Sequence, residues 1–233
     1  MSAIEAGLER VRARLAAALL GAGRAPDSAR LVAVSKFQPP SAIRDAYAAG
    51  QRDFGENYVQ ELEQKAAELA DLSELRWHMI GHLQRNKARV VVPLAAMIHT
   101  VHSSELAQEL DKRAALVPTG ARLAVLIEVN VGGEAQKSGC APEALSGVLN
   151  ALDAAQHLRL VGLMCVPPHT AEAADSRPFF DELARLRALH GGAERLPELS
   201  MGMTADLEYA VAAGATIVRV GTAIFGERPR VEA

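Results

Sequence analysis

Short β-branched runs alternate with helical patterns along most of the chain. Eight runs have the composition of strands, and the segments between them repeat apolar residues at helical spacing. The runs cover residues 31–36, 52–57, 76–81, 97–102, 122–131, 158–166, 198–203 and 216–226. An earlier segment, 3–20, places Ile4, Leu8, Val11, Leu15 and Leu19 on one helical face. The sequence therefore predicts one leading helix followed by repeated βα units.

Boundary signals support this reading. Pro40, Pro142 and Pro178 stand where the first residue of a helix is expected, Thr204 stands where an N-cap is expected, and Gly50 ends a helical pattern. Alternating βα units predict parallel strands, and eight of them favour closure into a (β/α)8 TIM barrel over an open doubly wound sheet. Neither a Gly-rich dinucleotide fingerprint nor a Walker A loop is present. We expect a single domain over residues 1–233, with the barrel at about 31–226.

Composition narrows the class of protein. Of 233 residues, 25 are Lys or Arg and 28 are Asp or Glu, and only 4% are aromatic, so a basic, base-stacking surface for nucleic acid is not expected. No apolar stretch reaches the ~18 residues of a membrane span. Glu5 and Glu9 interrupt the basic start of the leading segment, unlike a secretory signal. Cys140 and Cys165 have no metal-ligand or disulfide spacing and are expected to be two buried or half-buried thiols. These features predict a cytoplasmic protein with a small ligand.

Lys36 is the first candidate for chemistry. Active sites of βα barrels lie at the carboxyl ends of the strands, and Lys36 closes the first run. One interpretation is a lysine whose stem packs on the barrel while its ammonium reaches water. The other is a lysine whose pKa is lowered at a partly dry barrel mouth, which makes its amine able to form a Schiff base with an aldehyde.

The seventh and eighth runs resemble a phosphate site. The loops after these two strands commonly bind phosphate in this fold. Gly202 and Gly221 would let backbone N–H groups approach an anion, and the hydroxyls of Ser200, Thr204 and Thr222 could donate hydrogen bonds. The alternative is that the threonine only caps its helix and the glycines only ease packing.

Arg219 interrupts the apolar eighth run. Strand alternation places it on the face opposite Val218 and Val220, which points it into the barrel. A buried arginine needs an acceptor, and the structural alternative to a ligand is Glu128 on another strand. A Schiff-base lysine, a phosphate site and an inward arginine together describe a site for pyridoxal 5′-phosphate (PLP).

The same residues lie in segments that resemble one family. The segments are 33–36 (AVSK), 54–61 (FGENYVQE), 77–87 (WHMIGHLQRNK), 137–139 (KSG), 199–206 (LSMGMTAD) and 219–226 (RVGTAIFG). In order and spacing, from about residue 31 to 228, they are similar to the pyridoxal phosphate homeostasis proteins, the one-domain relatives of the alanine racemase barrel. Thr204 stands where a serine is frequent in that family, and it keeps the hydroxyl.

The resemblance implies a set of cofactor contacts. It implies PLP joined to Lys36 as a Schiff base, with the ring nitrogen facing Arg219 and Asn57 near the ring. The residues expected at the phosphate or in the same loops are Ser200, Met203, Thr204, Gly221 and Thr222. His82 lies after the third run, where it is either a solvated side chain or a second group at the barrel mouth.

The resemblance also implies a PLP carrier. An arginine at the ring nitrogen cannot accept its proton and so leaves the ring a weak electron sink. We therefore expect a protein that buffers PLP and supplies it, with apo PLP-dependent enzymes as recipients, no robust catalysis of its own and a monomeric state. Two alternatives stay open: a small PLP-dependent amino-acid racemase, and a sugar-phosphate lyase that uses the lysine Schiff base without a cofactor.

Two further interpretations concern polar side chains near the predicted site. Lys137 lies in the long loop after the fifth run, where it is either an exposed loop lysine or a transient acceptor of the aldehyde during loading or release. His99 and His102 are three residues apart in a strand, hence on opposite faces, and are not expected to form a metal pair.

Overall fold

Eight parallel strands close into a barrel in the computed structural model, which describes residues 1–118 and 120–226. Each strand pairs with the next, and β8 pairs with β1. The strands are β1 (Arg30–Val34), β2 (Asp53–Glu56), β3 (Arg76–Met79), β4 (Ala95–Val101), β5 (Leu123–Glu128), β6 (Leu158–Met164), β7 (Glu198–Ser200) and β8 (Ile217–Val220). The predicted (β/α)8 barrel is confirmed. The end of the predicted domain, residues 227–233, lies outside the described residues.

Helices follow the strands around the outside of the barrel. In the described ranges they are α1 (Ala3–Gly21), α2 (Pro40–Ala48), α3 (Val59–Glu68), α4 (Ala88–Val91), α5 (Ser104–Ala114), α6 (Leu145–Asp153), α7 (Arg177–Leu189), α8 (Gly192–Arg195), α9 (Leu207–Ala212) and α10 (Thr222–Phe225). Short 3₁₀ turns precede three of them, at Arg85–Lys87, Pro142–Ala144 and Ala173–Ser176. All eight predicted runs contain a strand, and the leading helix is present.

Two details of the prediction are wrong, both after the last two strands. The run 216–226 is not one strand, because the chain leaves the sheet at Gly221 and forms α10 from Thr222. Thr204 is not the N-cap of the next helix, since α9 begins at Leu207. Instead, the Asp206 carboxylate accepts a hydrogen bond of 2.6 Å from the N–H of Met203, which folds the loop into a tight turn before the helix.

The apolar core has two layers. The larger one packs the outward side chains of the strands against the helices. The smaller one lies inside the barrel and consists of Val32, Met97, Ala124, Leu126, Val161, Met164 and Ile217. Other inward positions carry polar side chains, including His78, His99 and Arg219, all less than 5% exposed. The interior is therefore partly polar, and each buried polar group needs a hydrogen-bonding partner.

The leading helix α1 completes the outer layer. The helix after β8 is only four residues long, and α1 packs against it and against α9. Gly7 makes this possible, because a Cβ at that position would lie 2.6 Å from the carbonyl oxygen of Ile224. Arg14 pairs with Glu208 across the same contact at 2.9 Å. Thus the segment that precedes β1 covers the part of the barrel that the last helix leaves open.

None of the helices in the described residues is both long and apolar enough to cross a membrane. Cys140 and Cys165 are free and buried, as predicted. Burial raises the pKa of Cys140 to about 11 and that of Cys165 to about 12, so both are protonated thiols at neutral pH.

Candidate functional site

Lys36 lies just beyond the carboxyl end of β1 and is half-buried. Its strand pairs with β8 in a register that places Val32 opposite Arg219. Lys36 and the residues that follow β8 therefore meet at the same end of the barrel. This is the end at which βα barrels carry their active sites.

The residue before Lys36 is held on three sides. Ser35 donates its backbone N–H to the carbonyl of Gly55 at 3.0 Å and its hydroxyl to Oε1 of Glu56 at 2.6 Å. Its own carbonyl accepts a bond of 2.8 Å from Nζ of Lys65. The backbone that presents Lys36 is therefore fixed against β2 and α3.

The residue after Lys36 has an unusual backbone. Phe37 has a φ of 63°, and it is the only residue other than glycine in the described ranges with a positive φ. Such a conformation costs about 1–2 kcal/mol for an L-residue. The carboxylate of Glu61 accepts the N–H of Phe37 at 2.7 Å and thereby helps to hold it. A strained residue next to a candidate reactive group is typical of functional sites.

We call Ser35, Glu56, Glu61 and Lys65 the Lys65 cluster. The ammonium of Lys65 is 2.9 Å from Glu56 and 2.7 Å from Glu61, and the lysine is only 5% exposed. Burial raises the pKa of Glu56, and the nearby Lys65 charge opposes that rise. Lys65 thus pairs with two carboxylates, and the cluster also makes hydrogen bonds to the backbone of the residues on both sides of Lys36.

Arg219 points into the barrel, as predicted, and is 4% exposed. It donates from Nη1 to the hydroxyl oxygen of Ser200 at 2.7 Å and from Nη2 to the carbonyl of Cys165 at 2.9 Å. Glu128 is not a hydrogen-bond partner of Arg219, and its Oε2 atom is buried without one among the described residues. Burial raises the pKa of Glu128 to about 7, and Arg219 acts in the opposite direction.

Ser200 is oriented differently from the sequence expectation. We expect its hydroxyl at a phosphate, but the structure places this hydroxyl, fully buried, between His99 and Arg219. The Nδ1 atom of His99 is 2.9 Å from Ser200 Oγ, and His99 Nε2 is 2.9 Å from Nδ1 of His78. Nε2 of His78 is 2.9 Å from the carboxylate of Asp53. We call Asp53, His78, His99 and Ser200 the histidine chain.

The loop after β8 approaches the loop after β1. A Cβ at Gly221 would lie 3.0 Å from the carbonyl oxygen of Val34, which is tighter than most Cβ contacts, so glycine allows the closest approach of this loop to β1. Thr222 follows as the exposed first residue of α10. The start of a short helix after β8 is a common phosphate site of barrel enzymes.

The loop after β7 forms the neighbouring part of the rim. Gly202 has a φ of 93°, which a side chain rarely allows. Met203 is 37% exposed, and its backbone N–H is used by Asp206. Thr204 is half-buried, and its carbonyl accepts a bond from Arg14 at 3.1 Å. These residues are at the barrel mouth, and their expected cofactor contacts stay predictions.

Asn57 follows the end of β2 at the same mouth. Its Oδ1 atom is buried and has no hydrogen-bond partner among the described residues. Gly81 lets the Asn57 backbone come close, since a Cβ there would lie 2.1 Å from the Asn57 carbonyl oxygen. An unsatisfied buried acceptor is costly without a partner. A polar ligand in the mouth would supply that partner, which fits the prediction for Asn57.

Lys137 lines a cavity of about 320 Å³ together with His169, Met203 and Asp206. Its ammonium donates to the carbonyl of Pro167 at 2.8 Å and pairs with Glu134. The lysine is thus tied to the rim next to the loop after β7. Both interpretations of its role stay predictions.

His82 is exposed, and its Nδ1 lies 3.1 Å from the hydroxyl of Ser138. Its ring centroid is 4.8 Å from that of His102. Within the described ranges, no group of three or more His, Cys, Asp or Glu side chains is placed to hold a metal ion.

Several residues of the site are absent from the sequence prediction. Lys65 is a charged residue on the apolar face of α3, between the buried Leu62 and Leu69. Asp53 and His78 are polar residues inside short strands. In each case the signal is a charge or imidazole at a position where the pattern calls for an apolar side chain.

Comparison with known proteins gives a consistent family. Residues 8–229 match the family model described as "Alanine racemase, N-terminal domain". A Pseudomonas aeruginosa protein named "Pyridoxal phosphate homeostasis protein" is 48% identical over 230 residues, which cover 98% of this chain and 97% of the relative.

Two solved structures extend the comparison. PipY of Synechococcus elongatus, solved with PLP bound, is 41% identical, with a TM-score of 0.78 over 91% of this chain and 100% of PipY. Alanine racemase from Corynebacterium glutamicum is 19% identical, with a TM-score of 0.66, and covers 99% of this chain and 62% of the racemase. The likeness to the racemase concerns the fold alone.

Proposed function

This chain belongs to the pyridoxal phosphate homeostasis protein family, and from that premise we propose that it binds PLP at the carboxyl end of its barrel and supplies it to other proteins. The observation that carries the assignment is the pairing of two neighbouring strands. Lys36 leaves the end of β1, and β8 beside it carries the buried Arg219 and leads into Gly221 and Thr222. An amine, a fixed cation and the loop that we propose to bind phosphate therefore adjoin one barrel mouth.

Lys36 is the proposed covalent anchor. PLP supplies an aldehyde that a lysine amine can capture, a phosphate and a ring nitrogen. The Lys65 cluster fixes the residues before and after Lys36, so the position from which the amine extends is fixed before any ligand enters. A preorganised anchor reduces the entropy cost of binding.

The phosphate is proposed to bind beside Gly221 and Thr222. The helix start after β8 offers backbone N–H groups and an exposed hydroxyl, and the close approach of Gly221 to β1 keeps this loop near Lys36. Met203 and Thr204 extend the same rim from the loop after β7. Ser200 is proposed to act through Arg219, since its hydroxyl already bonds that guanidinium.

Arg219 is the proposed partner of the ring nitrogen. A guanidinium stays protonated and can only donate hydrogen bonds. It therefore cannot accept a hydrogen bond from a protonated ring nitrogen, as a carboxylate would. It therefore holds the ring without making it a strong electron sink. Asn57, whose Oδ1 atom has no partner, is proposed to face the same ligand.

We further propose that the protein stores and delivers PLP without robust catalysis of its own. The name of the Pseudomonas aeruginosa relative and the arginine on β8 support this role, with apo PLP-dependent enzymes as recipients. The loaded protein should transfer PLP to such an apo-enzyme and restore its activity. A panel of amino acids analysed by chiral chromatography tests the alternative, because sustained PLP-dependent racemisation would contradict a carrier without catalysis.

Borohydride reduction tests the anchor directly. The protein is incubated with PLP, reduced, digested and mapped by mass spectrometry, with Lys36→Ala and Lys112→Ala in parallel. Lys112 is an exposed lysine on α5 and serves as the matched control. We expect a pyridoxyl group on the Lys36 peptide of the wild type and of the Lys112 variant, and none at that position after Lys36→Ala. Unlabelled wild-type protein would overturn the assignment.

A further inference from the structure

The histidine chain crosses the barrel interior and ends on Arg219. Its members and the arginine come from five strands, β2, β3, β4, β7 and β8, and each link between them is 2.7–2.9 Å long. His99, Ser200 and Arg219 are buried, and His78 is 3% exposed. The chain is therefore a continuous hydrogen-bonded path between the start of β2 and the proposed PLP site.

The two ends of the path have fixed hydrogen-bonding character. Arg219 can only donate hydrogen bonds. Asp53 can only accept them while it is ionised. Burial raises the pKa of Asp53, but hydrogen bonds from Arg76 and His78 outweigh that effect and hold the pKa well below its ordinary range. Asp53 therefore stays an acceptor at any pH near neutrality.

Fixed ends determine the direction of every link. Burial lowers the pKa of His78 and of His99, so both rings are neutral and carry one hydrogen each. His78 must donate from Nε2 to Asp53, which leaves its Nδ1 as an acceptor for Nε2–H of His99. Nδ1 of His99 then accepts the hydroxyl hydrogen of Ser200. The oxygen of Ser200 is left free to accept from Arg219.

We propose that the histidine chain is a positioning element for Arg219, in which Asp53 near the amino end of the barrel sets the orientation of the guanidinium that faces PLP. His99 is the central member. Because its Nε2–H donates to His78, which in turn donates to Asp53, its Nδ1 is left as the acceptor for the Ser200 hydroxyl. The inference rests on the proposed function for the orientation of Arg219 toward PLP. The direction of the links does not depend on it.

The donor-to-acceptor direction of the hydrogen bonds in the histidine chain is tested in the PLP-free, full-length protein. Long-range ¹H–¹⁵N spectra of ¹⁵N-histidine-labelled protein report which ring nitrogen carries the hydrogen. We expect His78 and His99 both as Nε2–H tautomers at pH 7–8, assigned through the variants below. A hydrogen on Nδ1 of His99, or a doubly protonated ring, would overturn the proposal even if PLP binding is confirmed.

The effect on PLP is tested with two substitutions at one position. In His99→Asn the amide oxygen can replace Nδ1 beside Ser200, whereas in His99→Gln the longer amide reaches toward His78 and leaves Ser200 without that acceptor. We expect His99→Gln to weaken PLP binding about tenfold and to shift the absorption maximum of the bound cofactor. His99→Asn should stay within about threefold of wild type with an unshifted maximum.

The control is Met97→Leu, a volume-conserving change inside the barrel on the same strand and face as His99. It should leave both readouts unchanged. If His99→Gln binds PLP like wild type with the same absorption maximum, the positioning role is wrong. If wild type binds no PLP, the proposed function is wrong. The ¹H–¹⁵N spectra of the PLP-free protein still test the direction of the hydrogen bonds in the histidine chain. Should the histidine variants not fold, Ser200→Ala removes the same link with the loss of one oxygen.

Discussion

The two buried polar systems beside the paired strands β1 and β8 hold their neighbours in different ways. The Lys65 cluster is charged and local, with Ser35 and Lys65 only 30 residues apart. The histidine chain has neutral rings at its centre and joins residues as distant as His99 and Ser200, 101 residues apart. The first fixes a strained backbone next to Lys36, and the second fixes the side chain of Arg219.

This difference predicts different costs of damage. Loss of one partner from a buried ion pair leaves a charge without compensation, which typically costs 3–5 kcal/mol. Loss of one link made by the neutral members of the histidine chain, His78, His99 and Ser200, leaves an unsatisfied donor or acceptor, which costs about 1–3 kcal/mol. The charged Lys65 cluster thus holds the strained backbone of Phe37, whereas the hydrogen bonds of the histidine chain are sufficient to fix the orientation of the Arg219 side chain.

The largest effect is expected from Lys65→Met, which leaves Glu56 buried without its cation. We expect a loss of about 3–5 kcal/mol in the free energy of unfolding, measured by urea denaturation. Lys112→Met, at an exposed position on α5, should change stability by less than about 0.5 kcal/mol. A loss below about 1 kcal/mol for Lys65→Met would remove the distinction between the two systems.

Glu128→Gln tests whether the surroundings of Arg219 favour neutral groups. The carboxyl has an ordinary pKa of 4.5 and a pKa of about 7 in the folded protein. The folded state therefore binds more protons between these values, and stability should fall as pH rises from about 4.5 to 7. Glutamine lacks this loss, so the variant should gain about 2–3 kcal/mol over wild type at pH 8 and almost nothing at pH 4.5.

Urea unfolding at the two pH values measures this gain, with exposed Glu143→Gln as the control. An equal effect of Glu128→Gln at both pH values would show that the pKa of the Glu128 carboxyl is not raised in the folded state, so that the group is ionised at neutral pH. In that case the region around Arg219 would be as charged as the Lys65 cluster.

Ser200→Ala is expected to have a smaller effect, about 1–2 kcal/mol, since it removes one acceptor of Arg219 and the donor to His99 Nδ1. The same urea experiment measures it beside Lys65→Met. A loss of stability for Ser200→Ala that equals or exceeds that of Lys65→Met would show that the charged Lys65 cluster is not the more costly of the two to disrupt.

The smallest effect concerns Phe37, where the Lys65 cluster holds a positive φ. Glycine tolerates this conformation, whereas alanine does not. Both substitutions remove the contact between the rings of Phe37 and Tyr58, whose centroids are 5.3 Å apart. Phe37→Gly should therefore be more stable than Phe37→Ala by about 1 kcal/mol in thermal or urea unfolding. Equal stability of the two variants would mean that little strain is stored there.

The sequence predicts the barrel because each βα unit carries its own periodicity, and it predicts Lys36 and Arg219 because strand alternation and strand ends locate them. Residues 222–225 are an error of prediction, since Thr-Ala-Ile-Phe has strand-like composition and tertiary packing against α1 makes it helical. The partners of Ser200 are not readable from sequence, because they depend on which residues of distant strands share one level of the barrel. Lys65 is missed for a different reason, since a lysine on the apolar face of a helix is readable in the sequence but its carboxylate partners Glu56 and Glu61 are identified only by the packing of α3 on β2.

The packing of α1 on α9 and α10 has a consequence for the order of folding. The apolar face of Leu8, Val11, Leu15 and Leu19 is synthesised before the barrel strands, but two of the helices against which it packs lie some 190 to 220 residues later in the chain. The part of the face that packs on α9 and α10 therefore stays uncovered while β1 to β7 are being made. Closure of the barrel between β8 and β1 and docking of α1 are both late events in the formation of the barrel, and a nascent chain needs protection of that face until α9 and α10 have been made.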